Sequence, residues 1–425
     1  MHNNANSVLN KLINHLDHPI ELAILCLAFA LPLSVDIASI ILVIGSFLWI
    51  IKMILARKLL WRKTPLDILV ILFVAISGIS IYVSPDRAFS LYNYFYLMGS
   101  YILTYYLIIN NVESLSKLKR LFVIFLFSST LAVSYGFYQN IQGIDISTFG
   151  WIDKNEFPEI STRVFSTFGN PNLFAGFLVI IMCFFSGLCL YEKGYKLKLF
   201  FFMLFFVTGI CLLLTYSRGL WISFLAALFI QIIFSRGKAL LMLASIPLFA
   251  LLANSTIWER LLSVLNPVDS SATLRIAIWE STLSMISQNP LLGIGWGAYW
   301  LVYPKYDYFL NDPSIIIYHA HNTYLHIAAE IGLIGLMVFL VLFFAYMVKS
   351  YLVFTSTKDS WLKGIMLGVL SALFALFISG FTDHILFSMQ ISMIFWFINA
   401  IVITASNLKD NNISSPFIFT SAKKF

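Results

Sequence analysis

Charge is what this 425-residue chain has least of: Asp, Glu, Lys and Arg together make up 11% of it, against roughly a quarter in an ordinary soluble domain. Hydrophobic residues reach 60% and mean hydropathy is +0.87. A chain of that kind cannot clothe a water-facing surface, so a soluble fold is excluded. The ten-residue alternation of a membrane barrel is also missing, which leaves helices that satisfy their own backbone groups. Cysteine is scarce. Cys26, Cys183, Cys189 and Cys211 all fall in apolar runs, which excludes a disulfide framework and the common zinc spacings. The N-terminus has no compact apolar core ending in a small-residue cleavage site, so no cleaved signal peptide is expected. Low-complexity tracts and repeats are absent, and there is no Asp-x-Asp pair.

What is there is a series of membrane-length apolar runs, near 19–34, 37–55, 65–83, 91–109, 121–138, 171–190, 199–216, 219–235, 239–254, 322–348, 364–381 and 385–405. They predict an all-α polytopic membrane protein of about 12 transmembrane helices. The domain reading is nine helices over 1–254, a large outer loop over 255–320, three helices over 321–405 and a polar tail over 406–425. The net charge of +7 matters less than its placement. About 20 of the 27 basic residues, from Lys52, Arg57 and Lys58 to Lys349, Lys358 and Lys363, fall on one set of connections or the tails. The other set holds only Arg87, Lys154, Arg163, Arg218, Arg260, Arg275 and Lys305. The positive-inside rule then puts both termini in the cytoplasm. No nucleic-acid partner is implied; the partner implied is membrane lipid.

The few polar groups on the outer side collect in four places. In TYSRGLW (215–221), Arg218 at a helix end is expensive unless it snorkels or meets an anion. Beside Tyr216 and Trp221 it reads, taken alone, foremost as an interfacial anchor, and Ser217 is a candidate cap for the next helix. In SATLRIAIW, Arg275 and Trp279 share a helix face four residues apart. They form either an anchored surface helix or a guanidinium fork for phosphate oxygens. That helix should stop at Asn289–Pro290, and the glycine turn after it lacks the strand a dinucleotide site needs. In RVFSTFGNPNLFAG (163–176), Asn170–Pro171 reads as a helix start, and Arg163 either adds positive potential to the outer cleft or is ordinary loop charge.

The fourth place is HAHNTYLHIAAEIGLIGL (319–336). At about 100° per residue, Ala328, Gly332 and Gly335 fall below His321, a small-residue stripe against which a neighbouring helix is expected to pack. His326 and Glu330, four apart on another face, read foremost as a satisfied buried pair. His319 falls on the loop, and a zinc site from these histidines has no recognised spacing. Asp383–His384 either orients His321 or ends its own helix.

Taken together, His321–Asn322, then Gly332 and Gly335, with TYSRG, the Arg275…Trp279…Pro290…Gly293–Ile294–Gly295 block and FGNPNLFA, resemble the O-antigen ligase and polymerase superfamily over roughly residues 160–340. The resemblance implies a GT-C-like membrane glycosyltransferase in the bacterial inner membrane, with its active site on the periplasmic face. It implies an undecaprenyl-diphosphate-linked glycan as donor. The acceptor is a sugar hydroxyl of lipid A–core in ligases, another lipid-linked glycan in polymerases, or a protein serine or threonine in the protein O-oligosaccharyltransferase branch. His321, Arg275 and Arg218 match the family's catalytic histidine and arginines; Arg163, Asn322, Trp279 and Tyr216 are the candidate substrate contacts. The residue chemistry agrees. Histidine takes a proton near neutral pH, and arginines stabilise a departing diphosphate. Without an Asp-x-Asp pair, the expectation is a metal-independent, inverting transfer with no cofactor. The single dominant outer loop and chain length favour the ligase branch. A lipid-linked glycan transporter or flippase is the alternative of a different class, but transporters bind near the bilayer midplane.

Overall fold

The computed structural model describes residues 2–143, 162–243, 245, 249, 255–262, 270–307 and 316–410. The expected Lys154, most of the 239–254 run, much of the 140–170 loop and the tail beyond residue 410 lie outside the described residues. Twelve helices carry the argument: α1 (His2–Ala30), α2 (Val35–Ala56), α3 (Asp67–Ser80), α4 (Gly99–Asn111), α5 (Leu115–Gln142), α6 (Pro171–Tyr191), α7 (Tyr195–Leu213), α8 (Arg218–Phe234), α9 (Ser270–Gln288), α10 (Thr323–Ser356), α11 (Ser360–Ser379) and α12 (Met389–Asp410). Among the described residues, seven of them (α2, α5, α6, α7, α10, α11 and α12) are long and apolar enough to cross a membrane, and the 67–83 and 218–234 segments are shorter apolar helices. The fold is an all-α polytopic membrane protein. The 91–109 run differs from expectation: it is divided among the short helix Arg87–Asn93, a π-helical turn at Tyr94–Met98 and α4.

Burial sorts the helices. The apolar window of α6 is wholly buried, and α11 and α12 are nearly so, whereas α2 and α7 are mostly exposed. Ile37, Ile40, Val43 and Phe47 form an exposed apolar stripe along α2, suited to acyl chains. At the centre, α6 meets α11 through glycine: a Cβ on Gly364 would come within 2.7 Å of the Gly187 carbonyl oxygen. Helices approach so closely only where side chains are missing.

Chain direction separates the two ends of the bundle. Asn172 opens α6, and Glu192 follows its close. Around the connections at that closing end, Lys119 pairs with Asp359 at 2.7 Å, Lys117 and Arg120 with Glu21 at 3.0 and 3.1 Å, and Arg62 with Glu113 at 2.7 Å. Such exposed pairs contribute at most about 1 kcal/mol each; they mark the basic end rather than hold it. Arg163, Arg218, Arg275 and His321 belong to the other end.

α10 contains the least expected feature. Gly332 interrupts it with φ 76° and ψ 174°, freeing backbone groups one turn either side. The 290–295 loop answers them: Leu333 N–H donates to Pro290 O at 2.8 Å, Ile294 N–H to Ala329 O at 2.8 Å and Gly295 N–H to Glu330 O at 3.0 Å. A Cβ on Gly332 would collide with the Leu291 carbonyl. The stripe of small residues therefore admits loop backbone where a neighbouring helix was expected. His321 is also not on that helical face, because it precedes the helix, which starts after the cap residue Asn322. Non-helical backbone at membrane depth survives because protein, not lipid, surrounds it.

Replacing Gly332 with alanine combines a left-handed backbone strain of order 1–3 kcal/mol with a backbone clash. The expected outcome is loss of monodisperse protein in detergent, checked by size-exclusion profile and melting temperature beside Gly335→Ala, whose Cβ meets only the flexible Ile331 side chain.

Candidate active site

The site is assembled from separate segments of the chain. Asn170 caps α6, its side chain accepting from the amides of Asn172 and Leu173, with Pro171 in the first turn as expected. That turn delivers Asn172. Tyr216, Ser217 and Arg218 come from the α7–α8 turn, where Tyr216 has φ 53°. Ser217 precedes α8 but does not cap it: its hydroxyl donates to Asn172 Oδ1 at 2.9 Å, a correction to the capping role. Helix α9 brings Arg275, and the segment after α11 brings Asp383.

Arg163, Tyr216, Arg218 and Arg275 line one small cavity of about 70 Å³, with Asn172, Arg260, Thr382 and Asp383 completing its polar wall. Four residues singled out from separate sequence segments thus meet. His321 does not line this cavity but adjoins it through Asp383, whose Oδ1 lies 3.4 Å from His321 Nδ1. The backbone at His321 is left-handed, φ 47°, a conformation that costs energy in a non-glycine residue and often marks a functional position. Trp279 and Asn322 hold this segment rather than face the cavity. The Trp279 indole N–H donates to Ala320 O at 3.0 Å. Asn322 accepts from Tyr324 and Leu325 amides, both at 3.0 Å, and donates to Phe381 O at 3.1 Å.

Asn172 is the hub that the sequence did not reveal. Its carbonyl oxygen accepts from Arg163 Nη2 at 3.1 Å and from Ser217, and its amide donates to Asp383 Oδ2 at 2.9 Å. Arg163 also donates from Nε to Thr215 O at 2.8 Å. Burial, then the neighbouring Arg260 charge, pushes the Arg163 guanidinium down to about 9, so it stays cationic at neutral pH. Burial alone would raise the Asp383 carboxyl, yet the hydrogen bond and charge of His321, with Arg275 beyond, hold it well below the usual range. Asp383 is therefore an anion. Arg260, counted among the outer basic residues but given no role, was recognisable only by sharing their loop.

A second group of imidazoles backs the first. His319 lies 4.2 Å from His321 and its Nδ1 accepts the His321 backbone N–H at 3.2 Å. His384 lies 4.2 Å from His326, which faces Glu330 at 3.5 Å; the two are buried together as expected but not fully satisfied, since His326 Nδ1 has no hydrogen-bond partner among the described residues. Burial, then the charge of His321, pushes His319 down to about 3, and burial with His326 lowers His384 far as well. Both are neutral at physiological pH. His319, His321 and Asp383 present ligand atoms within 4.8 Å of one another, a set with the chemistry to hold a divalent ion.

Two comparisons bear on this arrangement. Residues 200–340 match the family model described as O-Antigen ligase; the match takes in Arg218, Arg275 and His321. A protein of Rickettsia bellii (strain RML369-C) named "Putative polysaccharide ligase" is 28% identical over 185 residues, covering 38% of this chain and 41% of that protein. The match thus spans about two fifths of the relative's length.

The buried histidines set a pH dependence. A depressed folded pKa means that the unfolded chain takes protons first. Their contribution is therefore fully present above about pH 6.5, the ordinary imidazole value, and is lost as pH falls toward the folded values. Asp383 acts in a lower window, below its ordinary value near 4. The melting temperature of the purified protein is expected to fall from pH 6.5 to 4.5, with a shallower slope in His319→Gln. Equal slopes would contradict the assignment.

Proposed function

We propose, on the match of residues 200–340 to the family model described as O-Antigen ligase, that the protein is a glycosyltransferase moving an O-antigen glycan from undecaprenyl diphosphate to a sugar hydroxyl of lipid A–core. The convergence of Arg163, Arg218, Arg260 and Arg275 on one cavity that reaches His321 through Asp383 carries the reading.

In this scheme the donor diphosphate lies in the arginine cavity. Guanidinium groups match phosphate oxygens in pairs and keep their charge when buried, and Arg163 and Tyr216 help to seat it. His321 directs Nδ1 at the Asp383 carboxylate. That contact favours the Nδ1–H tautomer and leaves the Nε2 lone pair for the acceptor hydroxyl. As the acceptor oxygen attacks the anomeric carbon, its proton passes to Nε2. The carbon–oxygen bond to the diphosphate breaks with both electrons going to the diphosphate, whose growing charge the arginines stabilise. A single displacement inverts the anomeric centre. Trp279 and Asn322 keep the His321 segment in register. The cavity belongs to the end of the bundle away from the basic connections, which supports a periplasmic site in the bacterial inner membrane with both termini cytoplasmic.

One well-aimed donor to a developing oxyanion is worth about 10²–10³ in rate. His321→Ala and Arg275→Ala are each expected to lower transfer at least 100-fold while expression and membrane insertion persist; normal surface lipopolysaccharide from either variant would remove that residue's role. Purified protein given lipid-linked glycan and core lipid A in detergent, with no sealed compartment, should yield modified lipid A. Product on an acceptor protein or on a second lipid-linked glycan instead would reassign the acceptor, and glycan movement in liposomes without any transfer would favour a transporter. Transfer should persist in chelator, since the arginines supply the counter-charge. Loss reversed by one divalent ion would give the His319–His321–Asp383 set a metal.

A further inference from the structure

Beside the arginine cleft is a larger cavity of about 330 Å³ that the scheme above does not use. Its floor is apolar, made by Phe339 and Phe343 of α10 and Phe395 and Trp396 of α12. Its upper end has a different character. Trp296 and Trp300 enter from the loop that splints α10, and His326 and Glu330 enter from the first turns of α10 itself. Tyr318 and Phe387, both exposed, form the rim with Trp300.

Two polar atoms among these residues have no hydrogen-bond partner among the described residues: Trp296 Nε1 and His326 Nδ1. His326 Nε2 faces the Glu330 carboxylate at 3.5 Å. When Nε2–H points at that carboxylate, Nδ1 is left as a bare acceptor. The wall of the upper cavity thus contains an unpartnered donor, an unpartnered acceptor and a carboxylate among aromatic side chains. A hydrocarbon chain would leave the indole N–H and the imidazole nitrogen unanswered, while Glu330 already accepts the Tyr299 backbone amide. A hydroxyl answers them, since it both donates and accepts. A pyranose joins several hydroxyls to an apolar C–H face that lies flat on aromatic rings, matching an apolar pocket with a few convergent polar groups.

Position favours the same ligand. Phe387 stacks on His319 at 4.3 Å, and His319 lies 4.2 Å from His321. The arginine cleft reaches His321 through Asp383, and this cavity reaches it through Phe387 and His319. We infer that the upper end of this cavity is a sugar-binding subsite, taking one pyranose ring against Trp300, Tyr318 and Phe387 with hydroxyls on Trp296, His326 and Glu330. The inference rests on the glycosyl-transfer reading for the origin of the ring, which is a residue of the acceptor or of the donor glycan.

The test is a titration of the purified full-length protein, in a detergent without a sugar headgroup, with the methyl glycosides of glucose, galactose and N-acetylglucosamine. Indole fluorescence is the readout, and farnesol is the apolar probe. At least one glycoside is expected to give a saturable change, weakened at least tenfold in Trp300→Ala and in Tyr318→Ala, two rim positions chosen because Glu330 also accepts a backbone amide. Inhibition of transfer by that glycoside, competitive with the acceptor, assigns the ring to the acceptor; competition with the lipid-linked donor assigns it to the donor, and either result upholds the subsite. Absence of response to all three glycosides, a response that survives in both variants, or a response to farnesol alone overturns it. Arg275→Ala separates the two proposals. Its sugar titration is expected to match the parent, and full transfer by that variant would defeat the transfer reading while leaving the titration intact.

Discussion

Four guanidinium groups around a cavity of about 70 Å³ repel one another, and the described wall of that cavity contains a single carboxylate, Asp383. Its burial would ordinarily favour the neutral acid; the hydrogen bond and charge of His321, with Arg275 beyond, reverse that preference. Asp383 therefore does three things at once. It offsets like charges, it takes the Asn172 amide that steadies Arg163, and it faces His321. Cavity, hub and imidazole are one electrostatic unit, and none of its parts has the same meaning without the others.

That unit explains which sequence signals were legible. Arg218, Arg275 and Arg163 stood out because charge is rare in this chain and expensive at a helix end. Asn170–Pro171, the stop at Asn289–Pro290 and the His326–Glu330 pair were readable because caps and i,i+4 spacings are local. Asn172 was not legible. It stands 211 residues from Asp383, and nothing in its neighbourhood sets its side chain apart from other turn asparagines. Ser217 misled for a related reason: a serine before a helix usually caps it, but here the Asn172 side-chain amide competes for the hydroxyl and wins.

The fold shows the same division. Apolar runs foretold spans because hydropathy is additive along a segment. They could not foretell where a span would be broken. Periodicity carried straight through Gly332, where the positive φ and the approach of the 290–295 backbone make glycine necessary. The loop that resembles a nucleotide-binding turn is thereby explained. Its amides at Ile294 and Gly295 face helix carbonyls, not phosphate.

The break in α10 also bears on how the chain is made. In the broken form of the helix, the carbonyls of Ala329 and Glu330 have no helical partner beyond Gly332, and each bare carbonyl in hydrocarbon costs several kcal/mol. The 290–295 backbone emerges from the ribosome before them. The broken form of α10 is stable only with that backbone docked on it. Shaping this span is therefore a docking problem as well as a partitioning one, because its final conformation requires a segment from another part of the chain.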